Sequence, residues 1–224
     1  VTVKILKCPE VAKAALIGFP SIEDAGKCVT EIIAKGIIPA GMEIMDKALT
    51  KATNDFSKAG YPMDAEAMMI VELDGTESEV SELIKRVEEI AKENKCSSVK
   101  RSKSDEERSK FWTGRKAAFP ACAELAPDYM CMDGSIPRGK LAEVLKEIQK
   151  LSVKYNLPVA NAFHAGDGNL HPLIMFDAND PDQLRRTEEF GAEILKYCVK
   201  VGGALTGEHG VGIEKRELMC EAFN

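Results

Sequence analysis

The three histidines of the chain all lie in two glycine-rich segments. His164 and His171 flank the turn sequence Ala-Gly-Asp-Gly-Asn-Leu, and His209 follows Glu208 within Gly-Glu-His-Gly. Two imidazoles and one carboxylate are the three-ligand set of a catalytic metal site that keeps one position open. His164, His171 and Glu208 are therefore candidate ligands of a divalent cation, zinc first, with iron or manganese also compatible.

The neighbouring glycines remove side chains that would block close approach of a cofactor or substrate. A structural histidine cluster around a tight Asp-Gly turn is the competing interpretation, and for any one histidine it is the better one. The three histidines together with Glu208, at the ends of predicted strands, favour a functional site. Titratable groups with specific partners collect in such sites.

The spacing of apolar residues changes repeatedly between a period of two and one of about 3.6, which predicts alternating strands and helices. The first half predicts strands over 14–19, 41–45, 67–73 and 97–100, and helices over 22–36 and 79–95. The second half predicts strands over 129–136, 158–163, 170–176 and 203–206, and helices over 141–151 and 182–201. Each half has the order β-α-β-β-α-β.

This order predicts an α+β fold of two duplicated ferredoxin-like (βαββαβ) units, with an antiparallel sheet and the helices on one face. The two halves are about 1–103 and 127–224, and a polar helix over 104–119 joins them. The pattern is architectural, because the two halves show no repeat at the level of residues.

Composition excludes several classes of function. The net charge of −6, with Lys and Arg spread along the 224 residues, gives no basic face for nucleic acid. The apolar runs are too short to span a membrane, and the first residues show no signal-peptide pattern. Seven cysteines without Cys-x-x-Cys spacing indicate reduced thiols in a cytoplasmic protein.

Three segments carry a resemblance to a known family. They are Asn-Ala-Phe-His-Ala-Gly-Asp-Gly-Asn-Leu-His-Pro-Leu-Ile (161–174), Gly-Gly-Ala-Leu-Thr-Gly-Glu-His-Gly-Val-Gly-Ile-Glu-Lys (202–215) and Pro-Asp-Tyr-Met-Cys-Met-Asp-Gly-Ser-Ile-Pro-Arg (127–138). Together they resemble the FAD-linked oxidase C-terminal domain of vanillyl-alcohol-oxidase type flavoenzymes, over nearly the whole chain. The resemblance implies an FAD-dependent 2-hydroxyacid oxidoreductase, most similar to the flavoproteins that oxidise glycolate or D-lactate.

The resemblance also implies roles for single residues. His164, His171 and Glu208 would bind the metal, and His209 would be the base that takes the hydroxyl proton of the substrate. A divalent metal lowers the pKa of a bound hydroxyl, and a neutral imidazole can accept its proton. The hydride of C2 would then pass to the flavin.

Two further residues receive roles in the same way. Arg115 would bind the substrate carboxylate through its forked donors, although a solvated helix residue is its simplest interpretation, and Asn169 would lie near the flavin or substrate. Relatives acting on dicarboxylic hydroxyacids carry Asn at the position of Leu173 and Lys at that of Cys131. Both changes favour a small monocarboxylic substrate.

The family's flavin-binding domain precedes this region, and no Gly-x-Gly-x-x-Gly sequence follows a predicted strand here. We therefore expect the chain to be the C-terminal, substrate-side part of a longer enzyme, with FAD held mainly by that other domain. Alone it is expected neither to bind FAD tightly nor to turn over. Other oxidase subunits or an electron acceptor are expected partners, and through them an association with the inner membrane.

Two alternatives stay open. A metal-dependent hydrolase would use Glu208 or Asp167 as its general base, although the chain has no His-Glu-x-x-His helix and no nucleophile elbow. A non-catalytic ferredoxin-like binding module would bind no metal at the histidines. Metal analysis separates the module from both enzymes, and hydroxyacid-dependent dye reduction separates the oxidase from the hydrolase.

Overall fold

One antiparallel sheet forms the centre of the computed structural model, which describes residues 2–5 and 7–223. The strands are β1 Val11–Phe19, β2 Gly41–Asp46, β3 Ala67–Gly75, β4 Ser98–Arg101, β5 Asp128–Cys131, β6 Gly134–Ser135, β7 Val159–His164 and β8 Asn169–Phe176. Their order is β4-β1-β3-β2-β7-β8-β5, and β6 also pairs with β8. The antiparallel sheet predicted from the sequence is therefore confirmed, within a mixed α/β fold.

The helices are α1 Ile22–Ala34, α2 Lys47–Ser57, α3 Glu77–Glu93, α4 Asp105–Lys116, α5 Ala118–Ala121, α6 Leu141–Tyr155, α7 Pro181–Lys200 and α8 Met219–Ala222. Side-chain caps begin several of them. The Ser21 hydroxyl accepts from the Asp24 amide at α1, and Thr76 and Glu79 form a capping box at α3. These caps fix the residues at which the helices begin after the preceding strands.

The helices pack on both faces of the sheet, so the prediction that they lie on one face is wrong. Ile17 and Phe19 of β1 belong to the larger core, which also contains buried residues of α1, α3, α6 and α7. Leu16 belongs to a second core on the opposite face, with Leu49 of α2 and Phe111 of α4. The uninterrupted apolar run of β1 over residues 14–19 is the local cause, because both of its faces are buried.

Three further predictions differ from the structure. The predicted strand over 203–206 is an isolated bridge between Ser135 and Ala204. The predicted strand over 129–136 is divided into β5 and β6, since Asp133 between them is buried and bonded to another segment. Helix α2 is missing from the prediction because its buried face carries Thr50 and Thr53 and offers only Leu49 and Ala52 as apolar residues.

The register of the neighbouring strands β2, β7 and β8 sets the distances between polar side chains. Glu43 of β2 is paired with His164 of β7, and His164 is paired with Asn169 of β8. His171 is paired with Ala162, two residues before His164. Because side chains alternate along a strand, His164 and His171 lie on the same face as diagonal neighbours.

Among the described residues, no helix has the length and apolar content needed to cross a membrane. All seven cysteines are free thiols. Cys28, Cys122 and Cys198 are buried, and burial raises the pKa of Cys28 to about 12 and that of Cys122 to about 11. These three thiols behave as apolar packing groups at neutral pH.

Candidate active site

A tight turn between β7 and β8 brings the first two histidines together. The amides of Asp167 and Gly168 both donate to the His164 carbonyl, at 3.1 Å each. Gly168 has a φ of +75°, and a Cβ there would lie 2.2 Å from the Ile136 carbonyl oxygen. This position therefore requires glycine. The rings of His164 and His171 lie 5.0 Å apart between centroids, edge to face.

The third segment of the site, residues 206–209, is held by the buried carboxylate of Asp133. This carboxylate accepts hydrogen bonds from the Thr206 hydroxyl and from the amides of Gly207, Glu208 and His209. The ammonium of Lys215, itself 3% exposed, lies 3.1 Å from Asp133 Oδ2. Burial alone would raise the pKa of Asp133, but these donors outweigh it and hold that pKa well below its usual range.

The loop places Glu208 against the two histidines. Oε1 of Glu208 lies 3.0 Å from Nε2 of His171 and 3.5 Å from Nε2 of His164. One donor atom from each of the three residues lies within 4.8 Å of the others. His171 is 1% exposed, and burial lowers its pKa, which favours the neutral imidazole that metals bind. These donors fit a divalent cation.

A second group of possible ligands shares His171. Cys131, His171 and His209 also have donor atoms within 4.8 Å of one another, and Cys131 Sγ lies 3.7 Å from His171 Nδ1. Burial raises the pKa of Cys131 to about 12. Metals bind the thiolate, so a thiol with this pKa is the weaker ligand. The set containing Glu208 is the better candidate.

His209 lies at the open side of this cluster. Its ring stacks on that of His171, with 5.0 Å between centroids and 13° between planes. Its Nε2 is 3.6 Å from Glu208 Oε1, and its side chain is 46% exposed. The imidazole of His209 is accessible and lies next to the candidate metal ligands. It can therefore exchange a proton with a small molecule bound at this cluster.

Arg115 reaches the cluster through Glu43. Arg115 is buried, and its Nε donates to Glu43 Oε2 at 3.0 Å, while Glu43 Oε1 lies 2.7 Å from His164 Nδ1. The hydrogen bond with Glu43 raises the pKa of His164. Nη2 of Arg115 also lies 3.0 Å from Glu43 Oε2, but it is buried without a hydrogen bond in good geometry. This unsatisfied donor can bind an acceptor such as a substrate carboxylate.

Asn169 lies at the start of β8, beneath the loop that carries Glu208. Its Oδ1 is buried and has no hydrogen-bond partner among residues 2–5 and 7–223. A Cβ on Gly207 would lie 2.2 Å from that oxygen, so the loop can pass over Asn169 only because residue 207 is glycine. The unpaired acceptor fits a hydrogen-bond donor on a bound flavin or substrate.

All six residues predicted for the site thus lie in one region of the structure. Asp167, the alternative base, is exposed on the turn. Two further residues of the site, Glu43 and Asp133, are not predicted from the sequence. A signal for both was present, since each is a lone charge in a segment that otherwise reads as an apolar strand.

Comparison with known proteins identifies the family of the chain. The family model for the C-terminal domain of FAD linked oxidases matches residues 8–224. The chain is 53% identical to glycolate oxidase subunit GlcD of Escherichia coli K12, over all of the chain and 45% of that protein. It is 29% identical to a probable mitochondrial D-lactate dehydrogenase of Danio rerio, over 98% of the chain and 44% of that protein.

Among solved structures, 4-ethylphenol oxidase from Gulosibacter chungangensis is similar with a TM-score of 0.66 at 10% identity. The match covers 96% of this chain and 51% of that one, and at this identity it shows the fold alone. The chain spans about half the length of the proteins that it matches. Because the family model covers nearly all of it, the chain belongs to the FAD linked oxidases, as their C-terminal domain.

Proposed function

We propose that this chain is the substrate side of an FAD-dependent oxidoreductase that converts a small 2-hydroxy acid to the 2-oxo acid. The observation that carries the proposal is the convergence of His164, His171 and Glu208 beside an arginine with an unsatisfied buried donor. The names of the relatives, glycolate oxidase and D-lactate dehydrogenase, point to glycolate or D-lactate as the substrate.

A divalent cation, zinc or else iron or manganese, would supply Lewis acidity, and FAD would supply a two-electron acceptor. His164, His171 and Glu208 would hold the cation, and Asn169 would offer its free oxygen to the flavin or the substrate. FAD would be held mainly by the flavin domain of the full-length protein. Oxidation removes two electrons and two protons from the C2–OH unit of the substrate.

Arg115 would bind the substrate carboxylate through its unsatisfied Nη2 donor. Arg115 and the proposed metal ligand His164 are both hydrogen-bonded to Glu43, so this donor is held close to the proposed metal site. His209 would accept the hydroxyl proton, because its ring is accessible and stacks on His171. These two residues would orient the substrate from its two ends.

The surroundings of His171 favour a monocarboxylic substrate. Leu173 is fully buried, and it is paired across the sheet with Cys131, whose raised pKa keeps it neutral. Neither side chain offers a charge for a second carboxylate. The second carboxylate of a dicarboxylic substrate would therefore lose its hydration here without gaining a positively charged partner, which is unfavourable.

The strand order supports the proposal of two ferredoxin-like halves, about 1–103 and 127–224. The first half has the order β4-β1-β3-β2, and the second continues as β7-β8-β5 with Ala204 bridging to β6. Other oxidase subunits or an electron acceptor are proposed partners, since the relative GlcD is described as a subunit. A cytoplasmic location, with contact to the inner membrane through such partners, is proposed on the same basis.

The test uses the natural full-length protein under anaerobic conditions. Metal content is measured, and glycolate, D-lactate and a matched 3-hydroxy acid are each mixed with the protein while the flavin absorbance is followed. Bleaching by a 2-hydroxy acid, and its loss when the metal is removed by chelation, is the expected result. Failure of every 2-hydroxy acid to reduce the flavin would refute the proposed activity.

A further inference from the structure

Glu43 is a buried charge in the middle of the sheet. Its strand, β2, lies between β3 and β7, and Glu43 is 8% exposed. Burying a carboxylate is unfavourable unless each oxygen is paired. Here Oε2 accepts from Arg115, and Oε1 is hydrogen-bonded to His164. One carboxylate therefore connects the proposed substrate clamp with a proposed metal ligand.

The hydrogen bond to His164 determines which ring nitrogen is free. A carboxylate is an acceptor only, so the proton of a neutral His164 must reside on Nδ1, facing Glu43. Nε2 then keeps its lone pair and faces Glu208. This is the tautomer that a metal bound at Nε2 requires.

The other oxygen determines the position of Arg115. The hydrogen bond from Arg115 Nε to Glu43 Oε2, of 3.0 Å, holds the guanidinium in place. Nη2 of the same guanidinium remains an unsatisfied donor. Since both partners are attached to one rigid carboxylate, the distance between the clamp and the metal ligand is set by Glu43. The carboxylate and the hydroxyl of a 2-hydroxy acid are on adjacent carbons and need such a fixed, short spacing.

We propose that Glu43 is a positioning residue for the reaction, which fixes the tautomer of His164 and its spacing from Arg115. The inference rests on the proposed function, because it assigns a metal to His164 and a substrate carboxylate to Arg115. Glu43 itself does not need to touch the substrate.

Glu43→Gln tests the tautomer directly. The amide oxygen of the substituted side chain must face Arg115, because turning the NH₂ toward a guanidinium would oppose two donors. The NH₂ group then faces His164 Nδ1 and donates to it. That arrangement moves the imidazole proton to Nε2, which can no longer bind a metal.

Glu72 provides a matched control on the neighbouring strand β3. It also anchors helix α4, by accepting from Arg108 Nη1 at 3.1 Å and from Trp112 Nε1 at 2.6 Å. None of these partners belongs to the histidine cluster. Glu72→Gln therefore reproduces any general loosening of α4 on the sheet without touching the site.

The measurement is the dissociation constant for Zn²⁺, by competition with a chromogenic chelator, in the full-length protein and both variants. We expect Glu43→Gln to weaken zinc binding about 10- to 100-fold, the usual range when the partner of a ligating histidine is lost. It should also raise KM for the hydroxy acid. Glu72→Gln should leave zinc affinity and KM within about twofold, since it removes no contact of the site.

A second measurement needs neither metal nor flavin. The ¹⁵N chemical shifts of His164 in the metal-free protein at about pH 9, where imidazole is neutral, report which nitrogen is protonated. The proton is expected on Nδ1 in the natural protein and in Glu72→Gln, and on Nε2 in Glu43→Gln. A His164 tautomer that is the same in all three proteins would overturn the inference.

The outcomes separate the two proposals. If the natural protein binds zinc and Glu43→Gln binds it equally well, the role of Glu43 is wrong and the proposed function stands. Equal weakening by Glu43→Gln and Glu72→Gln would also overturn the role, because it would trace the effect to the docking of α4. If the natural protein binds no divalent metal, the metal site of the proposed function is wrong and the inference fails with it, while flavin reduction by a 2-hydroxy acid tests the proposed activity separately.

Discussion

The carboxylate of Asp133 lies directly beneath the backbone of Glu208, whose amide donates to it at 3.0 Å. Asp133 comes from the segment between β5 and β6, and Glu208 from the segment that follows α7. The proposed metal ligand thus owes its place to a residue 75 positions earlier, which is fully buried and paired with Lys215.

Asp133→Asn is expected to loosen residues 206–209 and to destabilise the fold. The substituted side chain has no negative charge to accept the hydrogen bonds of the loop N–H groups. The buried ammonium of Lys215 is then left without its counterion. Breaking a buried ion pair costs about 3–5 kcal/mol, measured as the free energy of unfolding in urea. The double variant with Lys215→Met should recover part of that loss, and no recovery would show that the Lys215 pair is unimportant.

His209→Asn should lower the rate constant of flavin reduction about 10²- to 10⁴-fold. The metal should stay in place, because His209 is proposed to accept the substrate proton and not to bind the cation. The stack on His171 is lost, but the Glu208 contacts with His164 and His171 are kept. Flavin reduction by glycolate or D-lactate in single turnover measures the first effect, and metal content the second. Loss of the metal in this variant would contradict the assignment.

Gly207→Ala should disturb the loop over Asn169. Its Cβ would lie 2.2 Å from Asn169 Oδ1, and accommodating it costs about 1–3 kcal/mol. The expected results are a lower unfolding temperature and weaker metal binding, measured by calorimetry and chelator competition. Gly139→Ala is the control, because a Cβ there meets nothing within 4 Å. Equal effects of both substitutions would show that the close approach is not limiting.

Asp46→Asn should stabilise the protein at neutral pH and not in acid. Burial raises the pKa of Asp46 to about 6, so the ionised carboxyl is disfavoured in the folded state. Its destabilising effect is therefore present above about pH 6 and disappears as the pH falls below about 4. The gain from Asn at pH 7 is at most about 3 kcal/mol, since one pKa unit is worth about 1.4 kcal/mol.

Asp180→Asn is the control of opposite sign. Asp180 caps α7, and hydrogen bonds from Gln183 lower its pKa, so its ionised form stabilises the fold above the unfolded pKa. This substitution should destabilise the protein at neutral pH, and the difference should shrink in acid. The Asp180 effect is lost only as the pH falls below the unfolded pKa of about 4, so urea unfolding of both variants between about pH 2.5 and pH 7 measures both trends. Parallel pH profiles for the two variants would contradict the assignment to Asp46.

The sequence predicts most of the strands and the histidine cluster because both are local patterns. A hairpin of defined length carries His164 and His171, and alternation along it places both on one face. Such features need no knowledge of distant residues.

The remaining features depend on long-range packing. Glu43 meets His164 across 121 positions of sequence, and Asp133 meets His209 across 76. No local period reports such contacts. The second layer of helices is not predicted for a related reason. The two-sided burial of β1 has the local pattern of an ordinary strand, and α2 is short with threonines on its buried face.

The loop that carries Glu208 has a consequence for the order of assembly during synthesis. His164 and His171 leave the ribosome together, while Glu208 follows 37 residues after His171, beyond the whole of α7. It can join them only when Asp133 has been buried between β5 and β6 to receive it. A cation that needs all three side chains would therefore bind only to molecules whose sheet is already complete. Its binding would stabilise the folded chain in addition to any role in the reaction.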